Sequence, residues 1–384
     1  MDQCQIIEVK ENNNRLNIEI DRKLFGLQNI GHSCYMNSFL QILLHTPHFL
    51  ETLKESYNGI TNEPLIDSLI EISECSKIKS LKQIKKIMAE EDESYGKQVQ
   101  NDSQEFGVSL LNKIITRIKG KPSFEEDDYY EEENIQIDKN YKIKKYENYI
   151  NKYCKEDTKL DEMFQFHEIM FDIDSSDQKI GFYKSIDFNS FLNMELTFPI
   201  KDYKNTYSLS ELLRYKYPKN PLTNIEEEDI DSSFFEMIIK KWNEFIELIK
   251  TFCFHKTENG DINEDIELFY SNMTSLPNIL IISINRAFLG KSIIKKRLTF
   301  EDTLDLKECL EMDFQDKEKN TKYKLYGVNI CHKSLFTNAG HYYSYVKIKG
   351  IWYKFDDDKP VKKESPDYNS KYVVGLYYIK ENLI

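Results

Sequence analysis

The periodicity of the apolar residues changes along this chain of 384 residues, and that change is the strongest constraint on its fold. After Cys34, apolar side chains recur at helical spacing to about Thr46, and Pro47 marks the end of the helix. Asp102, followed three residues later by Glu105, has the pattern of a second helix start, and an apolar stripe follows it. The last third of the chain carries strand patterns instead. Helices followed by strands predict an α+β fold.

Four segments of the last third have the composition of strands. Residues 278–284 are nearly all apolar and predict a buried strand. Residues 342–348 and 351–355 flank a two-residue turn that contains glycine, which predicts a β-hairpin. Residues 372–379 predict a closing strand. This region is therefore expected to form a sheet that packs against the early helices.

Two segments differ in composition from the rest of the chain. Residues 1–23 are polar and predict an N-terminal extension. Residues 120–160 begin with an acidic run and continue with a stretch rich in Lys and Tyr, which predicts a charged, solvated insertion. A binding role for the acidic run is the alternative.

The composition excludes several classes of partner. A net charge of −13 argues against nucleic acid, because nucleic-acid binding depends on neutralising phosphates with Lys and Arg. No apolar run reaches the roughly 20 residues needed to cross a bilayer, so we expect no membrane insertion, and no secretory signal is apparent. The seven cysteines are never spaced as C-x-x-C. They predict free thiols in a reducing compartment, the cytoplasm and/or the nucleus.

Cys34 stands where the first helix is predicted to begin. A thiol attacks a carbonyl carbon as its thiolate, and a helix N-terminus lowers the pKa of a thiol placed there. Gly26 and Gly31 would allow the chain to turn tightly before that helix. The Cys34 N–H and a polar side chain just upstream, Asn29 or Gln28, would donate to an oxyanion. A small buried cysteine at a helix start is the alternative explanation.

His341 lies at the start of the predicted hairpin. Asp356 follows the return strand, so cross-strand pairing would bring its carboxylate to the imidazole and make it an orienting group for a general base. His332 is the rival base, and Asp357 and Asp358 are the rival acids. The pattern predicts a cysteine hydrolase site formed by the early helix and the late hairpin.

These motifs carry a family resemblance. Residues 26–41, GLQNIGHSCYMNSFLQ, resemble the cysteine box of the ubiquitin-specific proteases, G-L-x-N-x-G-x-T-C-Y-M-N-S-x-L-Q, and differ from it at Ser33, where Thr is usual. Residues 100–106, QNDSQEF, are similar to the family's Q-Q-D-A-Q-E-F helix start. Residues 276–286 resemble its L-P-x-x-L strand, and residues 340–357 resemble its histidine box. The cysteine and histidine boxes in this order are a highly specific combination.

The resemblance implies a fold and a domain organisation. It implies a papain-like cysteine protease core, with a helical thumb, a β-rich palm and a β fingers subdomain at about residues 162–275. The catalytic domain would span residues 24–382 and contain the insertion. The oligomeric state is not indicated by the sequence.

The resemblance also implies an activity, that of a thiol-dependent ubiquitinyl hydrolase acting at the C-terminus of ubiquitin. Cys34 would be the nucleophile, His341 the base and Asp356 its orienter. Asn29, five residues before the cysteine, matches the family's oxyanion residue, and Asp357 would be an auxiliary acid. The partners would be ubiquitin and ubiquitinated proteins.

Three further residues match family positions near the ubiquitin tail: Asp102, Gln104 and Tyr342. Asp102 would serve equally well as a helix cap. The hydrolase has three rivals: a catalytically silent ubiquitin-binding scaffold, a protease for another ubiquitin-like modifier, and a papain-like or transglutaminase-like enzyme with the same core.

The sequence departs from the family pattern in two places. Family members often hold zinc with two C-x-x-C pairs in the fingers, whereas this region has Cys253, the nearby His255 and the distant His167. We therefore expect no metal and no cofactor, and fingers that are held by packing. The loop before His341, which is usually glycine-rich, reads CHKSLFTNA over residues 331–339.

Overall fold

The computed structural model describes residues 7–9, 22–57, 62–120, 138–173, 183–199, 204–219, 244, 268–288, 292–333 and 340–384. The helices of these residues are α1 (Cys34–Leu44), α2 (Phe49–Tyr57), α3 (Pro64–Glu74), α4 (Ile78–Met88), α5 (Glu93–Gly96), α6 (Ser103–Lys119), α7 (Lys139–Tyr153), α8 (Lys159–Phe164) and α9 (Leu209–Lys216). Among them, no helix combines the length and the apolar character needed to cross a membrane.

The strands follow the predicted order, with most of them in the last third of the chain. They are β1 (Ile7–Val9), β2 (Arg22–Leu24), β3 (Phe166–Ile173), β4 (Tyr183–Phe191), β5 (Met194–Thr197), β6 (Thr206–Ser208), β7 (Leu268–Met273), β8 (Ile279–Asn285), β9 (Ala287–Phe288), β10 (Ser292–Ile293), β11 (Arg297–Thr299), β12 (Thr303–Asp305), β13 (Lys322–Lys333), β14 (Gly340–Ile348), β15 (Ile351–Phe355), β16 (Lys362–Lys363), β17 (Asn369–Ser370) and β18 (Val373–Lys380). The predicted α+β class is confirmed.

The central sheet has the order β16-β15-β14-β13-β18-β8-β5, and β12 also pairs with β13. Its pairings are antiparallel except that of β5 with β8. A smaller sheet of order β4-β3-β7 lies within the predicted fingers region, and a third has the order β17-β11-β6. The predicted hairpin is β14 and β15, joined by Lys349 and Gly350, both with positive φ.

Both faces of the central sheet are buried, which explains the nearly continuous apolar run in β8. Ile279 and Ile281 face one apolar cluster, which contains the helices α1 to α4 and α6. Leu280 and Ile282 face the other cluster, which contains α9 and the third sheet. A strand covered on both sides loses the alternation of apolar and polar residues. Its sequence therefore indicates how long the strand is but not which side chains face which cluster.

Helix α1 runs through the middle of the core, and all its residues are buried. Phe39 packs edge-on against Phe106 of α6 and Tyr377 of β18, with ring centroids 6.4 and 6.1 Å apart. Ser103, the first residue of α6, donates to the Tyr35 carbonyl (2.7 Å) and accepts from Asn329 of β13 (2.7 Å). These contacts fix α1 and α6 to the sheet that carries the hairpin.

The insertion predicted over residues 120–160 contains a helix in its second half, which was not predicted. Residues 121–137, which include the acidic run, lie outside the described residues. Residues 139–153 instead form α7, capped by Asp138. Tyr146 of α7 packs against Phe188 of β4 and Phe314, with ring centroids 5.2 and 5.1 Å apart. Tyr149 also contacts Phe188 of the small sheet, and Lys142 of α7 pairs with Glu311 and Asp313. The charged composition thus concealed a packing helix.

Candidate active site

Cys34 is the first residue of α1 and is 3% exposed. Its sulfur is 3.5 Å from the backbone N–H of Tyr342 on β14 and 3.2 Å from the side-chain amide nitrogen of Gln100. The helix N-terminus and these two donors all direct positive partial charge at the sulfur. The sulfur thus faces donors from the start of α1, from β14 and from the segment before α6.

His341 lies on β14, one residue before Tyr342, and its Nε2 is 2.6 Å from Asp356 Oδ1. Asp356 directly follows β15, whose last residue, Phe355, pairs with Ser344. The hairpin thus brings together two residues that are 15 positions apart in the chain. Hydrogen bonds with Asp356 and with Cys34 raise the pKa of His341 to about 10. The structure therefore brings the three predicted residues into one chain of contacts.

Asp356 is held in its charged form. Although burial acts to raise its pKa, the hydrogen bonds from His341 and Lys359 lower the pKa of Asp356 to about 2. Lys359 Nζ lies 2.9 Å from Asp356 Oδ2, on the oxygen that His341 does not use. Because Nε2 is engaged with the carboxylate, Nδ1 is the ring nitrogen left for the thiol. This arrangement lets the imidazole accept the thiol proton.

Asn29 and Asp357 form a second polar group beside the cysteine. Asn29 Nδ2 donates to Asp357 Oδ2 (2.9 Å), and Asn29 Oδ1 accepts from the backbone N–H groups of Gly31 (3.0 Å) and Ser33 (3.2 Å). Asn37 of α1 donates to the other Asp357 oxygen at 2.8 Å. Burial raises the pKa of Asp357 despite these bonds. The Asn29 amide is thus rigidly aimed, and its second N–H is available to a ligand.

The loop before Cys34 needs its two glycines, as predicted. A Cβ at Gly26 would lie 2.2 Å from the Asp357 carbonyl oxygen, and Gly31 has a φ of +97°. Lys85 of α4, which is 8% exposed, donates to the Gly31 carbonyl at 3.0 Å. Burial lowers the pKa of Lys85. The loop before Cys34 is therefore held by close packing against Asp357 and by the hydrogen bond from Lys85.

The three residues predicted near the ubiquitin tail have different environments. Asp102 caps α6, since its Oδ1 accepts from the N–H groups of Gln104 and Glu105, and its Oδ2 is 3.5 Å from the hydroxyl of Tyr342. Gln104 is 7% exposed, and its Oε1 accepts from Tyr377 at 3.0 Å. Tyr342 is 3% exposed, and burial raises its pKa. The burial of Gln104 favours a structural role, which was not predicted.

The rival residues have other surroundings. His332 pairs with His341 across β13 and β14, and its ring lies 4.4 Å from that of Tyr372. Asp358 is exposed. Residues 334–339, the loop before His341, lie outside the described residues, as do Cys253 and His255.

The sequence analysis missed Gln100, Asn37 and Lys85. Gln100 and Asn37 stand inside the motifs that were recognised, but no role was assigned to them. A signal was present in α1, where Asn37 is one of the polar residues of a predominantly apolar helix. Such a residue requires hydrogen-bond partners when it is buried. It finds them in the carbonyls of Leu27 and Gln28, besides Asp357.

Comparisons with known proteins agree with this geometry. The family model "Ubiquitin carboxyl-terminal hydrolase" matches residues 25–378. Ubiquitin carboxyl-terminal hydrolase 17-like protein C of Mus musculus is 32% identical over 110 residues, which is 28% of this chain and 19% of that protein. Ubiquitin carboxyl-terminal hydrolase 16 of Arabidopsis thaliana is 34% identical over 111 residues, 28% of this chain and 11% of that protein. The matched segment is thus under a fifth of the length of either relative.

Solved structures match a larger share of the chain. The SAGA DUB module of Ubp8, Sgf11, Sus1 and Sgf73 bound to monoubiquitin matches with a TM-score of 0.58 and 17% identity, covering 93% of this chain and 69% of that one. A yeast SAGA DUB module matches with a TM-score of 0.60 and 18% identity, covering 93% and 68%. These likenesses confirm the predicted papain-like architecture. With the family model matching residues 25–378, the chain belongs to the ubiquitin carboxyl-terminal hydrolase family of cysteine proteases.

Proposed function

We propose that this protein is a deubiquitinase that hydrolyses the bond at the C-terminus of ubiquitin through a thioester on Cys34. The observation that carries the proposal is the contact chain of Cys34, His341 and Asp356, assembled from a helix start and a hairpin. A protein that only binds ubiquitin has no need of all three groups in contact. The family membership gives the chemical class of the substrate.

The reactive form is an ion pair. The proton of the Cys34 thiol resides on His341 Nδ1, Asp356 stabilises this imidazolium, and the Cys34 thiolate attacks the carbonyl carbon at the ubiquitin C-terminus. The C–N bond then breaks, and the imidazolium gives its proton to the leaving amine. The thioester remains on Cys34. Water, deprotonated by the same imidazole, releases the ubiquitin carboxylate and regenerates the thiol.

The oxyanion formed at each step needs donors that are fixed in advance. The backbone N–H of Cys34, at the start of α1, is one donor. Asn29 Nδ2 is the second, because Asp357 and the backbone amides of the loop hold its orientation. Gln100 Nε2, at 3.2 Å from the sulfur, is a third candidate.

The tail of ubiquitin would enter between α6 and β14, beside Asp102 and Tyr342. Their contact of 3.5 Å joins the two elements behind the cysteine. The structural relatives include a module bound to monoubiquitin and one bound to ubiquitin aldehyde. For this chain, ubiquitin and ubiquitinated proteins are the proposed partners, in the cytoplasm and/or the nucleus.

A ubiquitin probe with a thiol-reactive C-terminus tests the proposal. We expect one adduct, mapped to Cys34 by mass spectrometry, and none in Cys34→Ala. We also expect Cys34→Ala to retain its fold and ubiquitin binding while losing hydrolysis of ubiquitin–aminocoumarin. No adduct with the wild type would favour a non-catalytic scaffold. Adducts formed only with probes for another modifier would indicate a protease for that modifier, and turnover of short peptides would indicate a general papain-like peptidase.

A further inference from the structure

A second cysteine and histidine pair lies away from the active site. Cys154, the residue that follows α7, has its sulfur 3.6 Å from Nε2 of His167 on β3. Asp157 completes the group, and the three ligand atoms lie within 4.8 Å of one another. His167 is 9% exposed, while Cys154 and Asp157 are half-buried. The residue types are those that bind zinc in proteins.

The spacing of the pair matches a tetrahedral metal site. With Zn–S of about 2.3 Å and Zn–N of about 2.0 Å at the tetrahedral angle, sulfur and nitrogen are about 3.5 Å apart. The observed 3.6 Å meets this requirement without movement. The other two separations are at most 4.8 Å, so the carboxylate of Asp157 needs to close by no more than about 1.5 Å. A half-buried site leaves a fourth position for water.

The second ring nitrogen of His167 has a partner as well. Its Nδ1 is 2.9 Å from the hydroxyl of Tyr146 on α7. Ligating histidines commonly use the other ring nitrogen in this way, which fixes the ring orientation and the tautomer. The neutral imidazole, with its lone pair on Nε2, is the form that binds a metal.

The surrounding charges favour a divalent cation. Lys119 Nζ is 2.9 Å from Asp157 Oδ1 and 2.8 Å from Asp161 Oδ1, so the two carboxylates share one cation. A Cys154 thiolate would bring the local charge to −2. A divalent cation would restore neutrality, while Lys119 keeps Asp161 as its partner.

We propose that Cys154, Asp157 and His167 form a binding site for zinc(II). Binding releases the Cys154 thiol proton to water and forms bonds from the metal to Sγ, to Nε2 and to one Asp157 oxygen. The metal would tie the end of α7 to β3 of the small sheet. This site revises the expectation of a metal-free chain and is independent of the proposed hydrolase activity.

Metal titration of the full chain tests the site. After chelator treatment, we expect one equivalent of zinc in competition with a chromophoric chelator. Cobalt(II) should give a thiolate-to-metal charge-transfer absorption, and X-ray absorption of the zinc form should show one sulfur at about 2.3 Å. Zinc should also raise the unfolding temperature, because it binds the folded state. No binding, or a zinc site without sulfur, would overturn the proposal.

Variants locate the site. Cys154→Ser should lose the charge-transfer absorption, and Tyr146→Phe should weaken zinc binding by about 10- to 100-fold. The matched control is Cys75→Ser, which removes an exposed free thiol and should leave zinc binding unchanged. Cys34→Ala tests whether the absorption comes from the active site instead, where His341, Asp356 and Asp357 also lie close together. Absorption lost in Cys34→Ala and kept in Cys154→Ser would refute the assignment.

Discussion

His341 Nε2 lies 2.6 Å from Asp356 Oδ1, and this hydrogen bond spans the hairpin of β14 and β15. Lys359 Nζ binds the other carboxylate oxygen at 2.9 Å. The carboxylate is therefore held from two sides and cannot rotate away from the imidazole without losing a charged partner. The hairpin thus fixes the orientation of the imidazole before any substrate arrives.

The first prediction concerns this hydrogen bond. Asp356→Asn keeps the shape of the side chain and removes the charge that stabilises the imidazolium, so we expect kcat to fall by roughly 10²- to 10⁴-fold. The measurement is steady-state hydrolysis of ubiquitin–aminocoumarin. Asp358→Asn is the control, because Asp358 is exposed, and it should leave kcat within about twofold of the wild type. Equal losses in both variants would contradict the assignment of Asp356.

The same pair predicts how stability depends on pH. The pKa of His341 is raised to about 10, so its contribution is complete below its ordinary value of about 6.5 and is lost as the pH rises through about 10. The pKa of Asp356 is lowered to about 2, so its contribution is complete above about 4 and is lost as the pH falls through about 2. The pair therefore stabilises most between about pH 4 and 6.5.

The measurement is thermal unfolding of the wild type and of Asp356→Asn at pH values from about 2 to about 10. The difference in unfolding temperature should be largest between about pH 4 and 6.5 and should shrink toward pH 10. The side chain of His341 is 40% exposed, so added salt should reduce the difference. A difference that stays constant to high pH would show that the substitution acts through packing.

Much of the fold could be predicted from the sequence, because local rules determined it. α1 begins at Cys34 and stops before Pro47, and the hairpin turns at Lys349 and Gly350, where positive φ favours glycine. Long-range packing was hidden from such rules. The Lys- and Tyr-rich segment became α7 because the small sheet offers an apolar surface that no local pattern shows.

The parts of the candidate site that lie within a single sequence motif could be predicted from the sequence. Contacts between different motifs could not. Asn29 and Asp357 were singled out separately, yet their contact of 2.9 Å depends on the loop and the hairpin meeting in space. Gln100 reaches the cysteine from the segment before α6, and Lys85 reaches the cysteine loop from α4; neither has a local signal for that contact. Polar contacts between distant segments require the tertiary fold.

The second prediction concerns the oxyanion donor. Asn29→Ala removes the amide that Asp357 orients, so we expect kcat to fall by about 10²- to 10³-fold with little change in KM. Asp357→Asn leaves Asn29 in place but replaces one carboxylate oxygen, an acceptor, with an amide NH2 group, a donor. We therefore expect a smaller loss in kcat than for Asn29→Ala. Steady-state kinetics of both variants is the measurement. If Asp357→Asn lowered kcat more than Asn29→Ala does, Asp357 would have a direct role besides orienting Asn29.

The third prediction concerns Gln100, whose amide nitrogen lies 3.2 Å from the Cys34 sulfur. Gln100→Ala removes a donor to the thiolate and to the neighbouring oxyanion space, so we expect kcat to fall by about 10-fold or more. The rate of Cys34 alkylation by iodoacetamide at several pH values separates the two roles. An upward shift of the apparent pKa of the Cys34 thiol in Gln100→Ala would indicate that Gln100 stabilises the thiolate in the wild type. An unchanged alkylation profile with reduced kcat would assign Gln100 to the oxyanion instead, and unchanged values of both would remove it from the site.

The fourth prediction concerns the stability of the β-rich core. Arg286, which is 8% exposed, donates to the carbonyls of Val373 (2.7 Å), Lys296 (2.8 Å) and Ile294 (3.1 Å). Burial lowers the pKa of its guanidinium to about 10. Arg286→Leu removes the donor of the buried Val373 carbonyl and of the half-buried carbonyls of Lys296 and Ile294. A buried carbonyl left without a donor costs about 1–3 kcal/mol. We expect the free energy of unfolding to fall by about 3 kcal/mol or more.

Chemical denaturation, with circular dichroism as the signal, measures this loss. Arg297→Leu is the control, because Arg297 is an exposed arginine that donates to one carbonyl, that of Asn369, at 2.6 Å. Its loss should cost about 1 kcal/mol or less. Comparable stability losses in the two variants would mean that the carbonyls around Arg286 find other donors. A much larger loss for Arg286→Leu identifies this guanidinium as the group that joins β18 to the segment after β8, and thereby supports the sheet on which His341 is mounted.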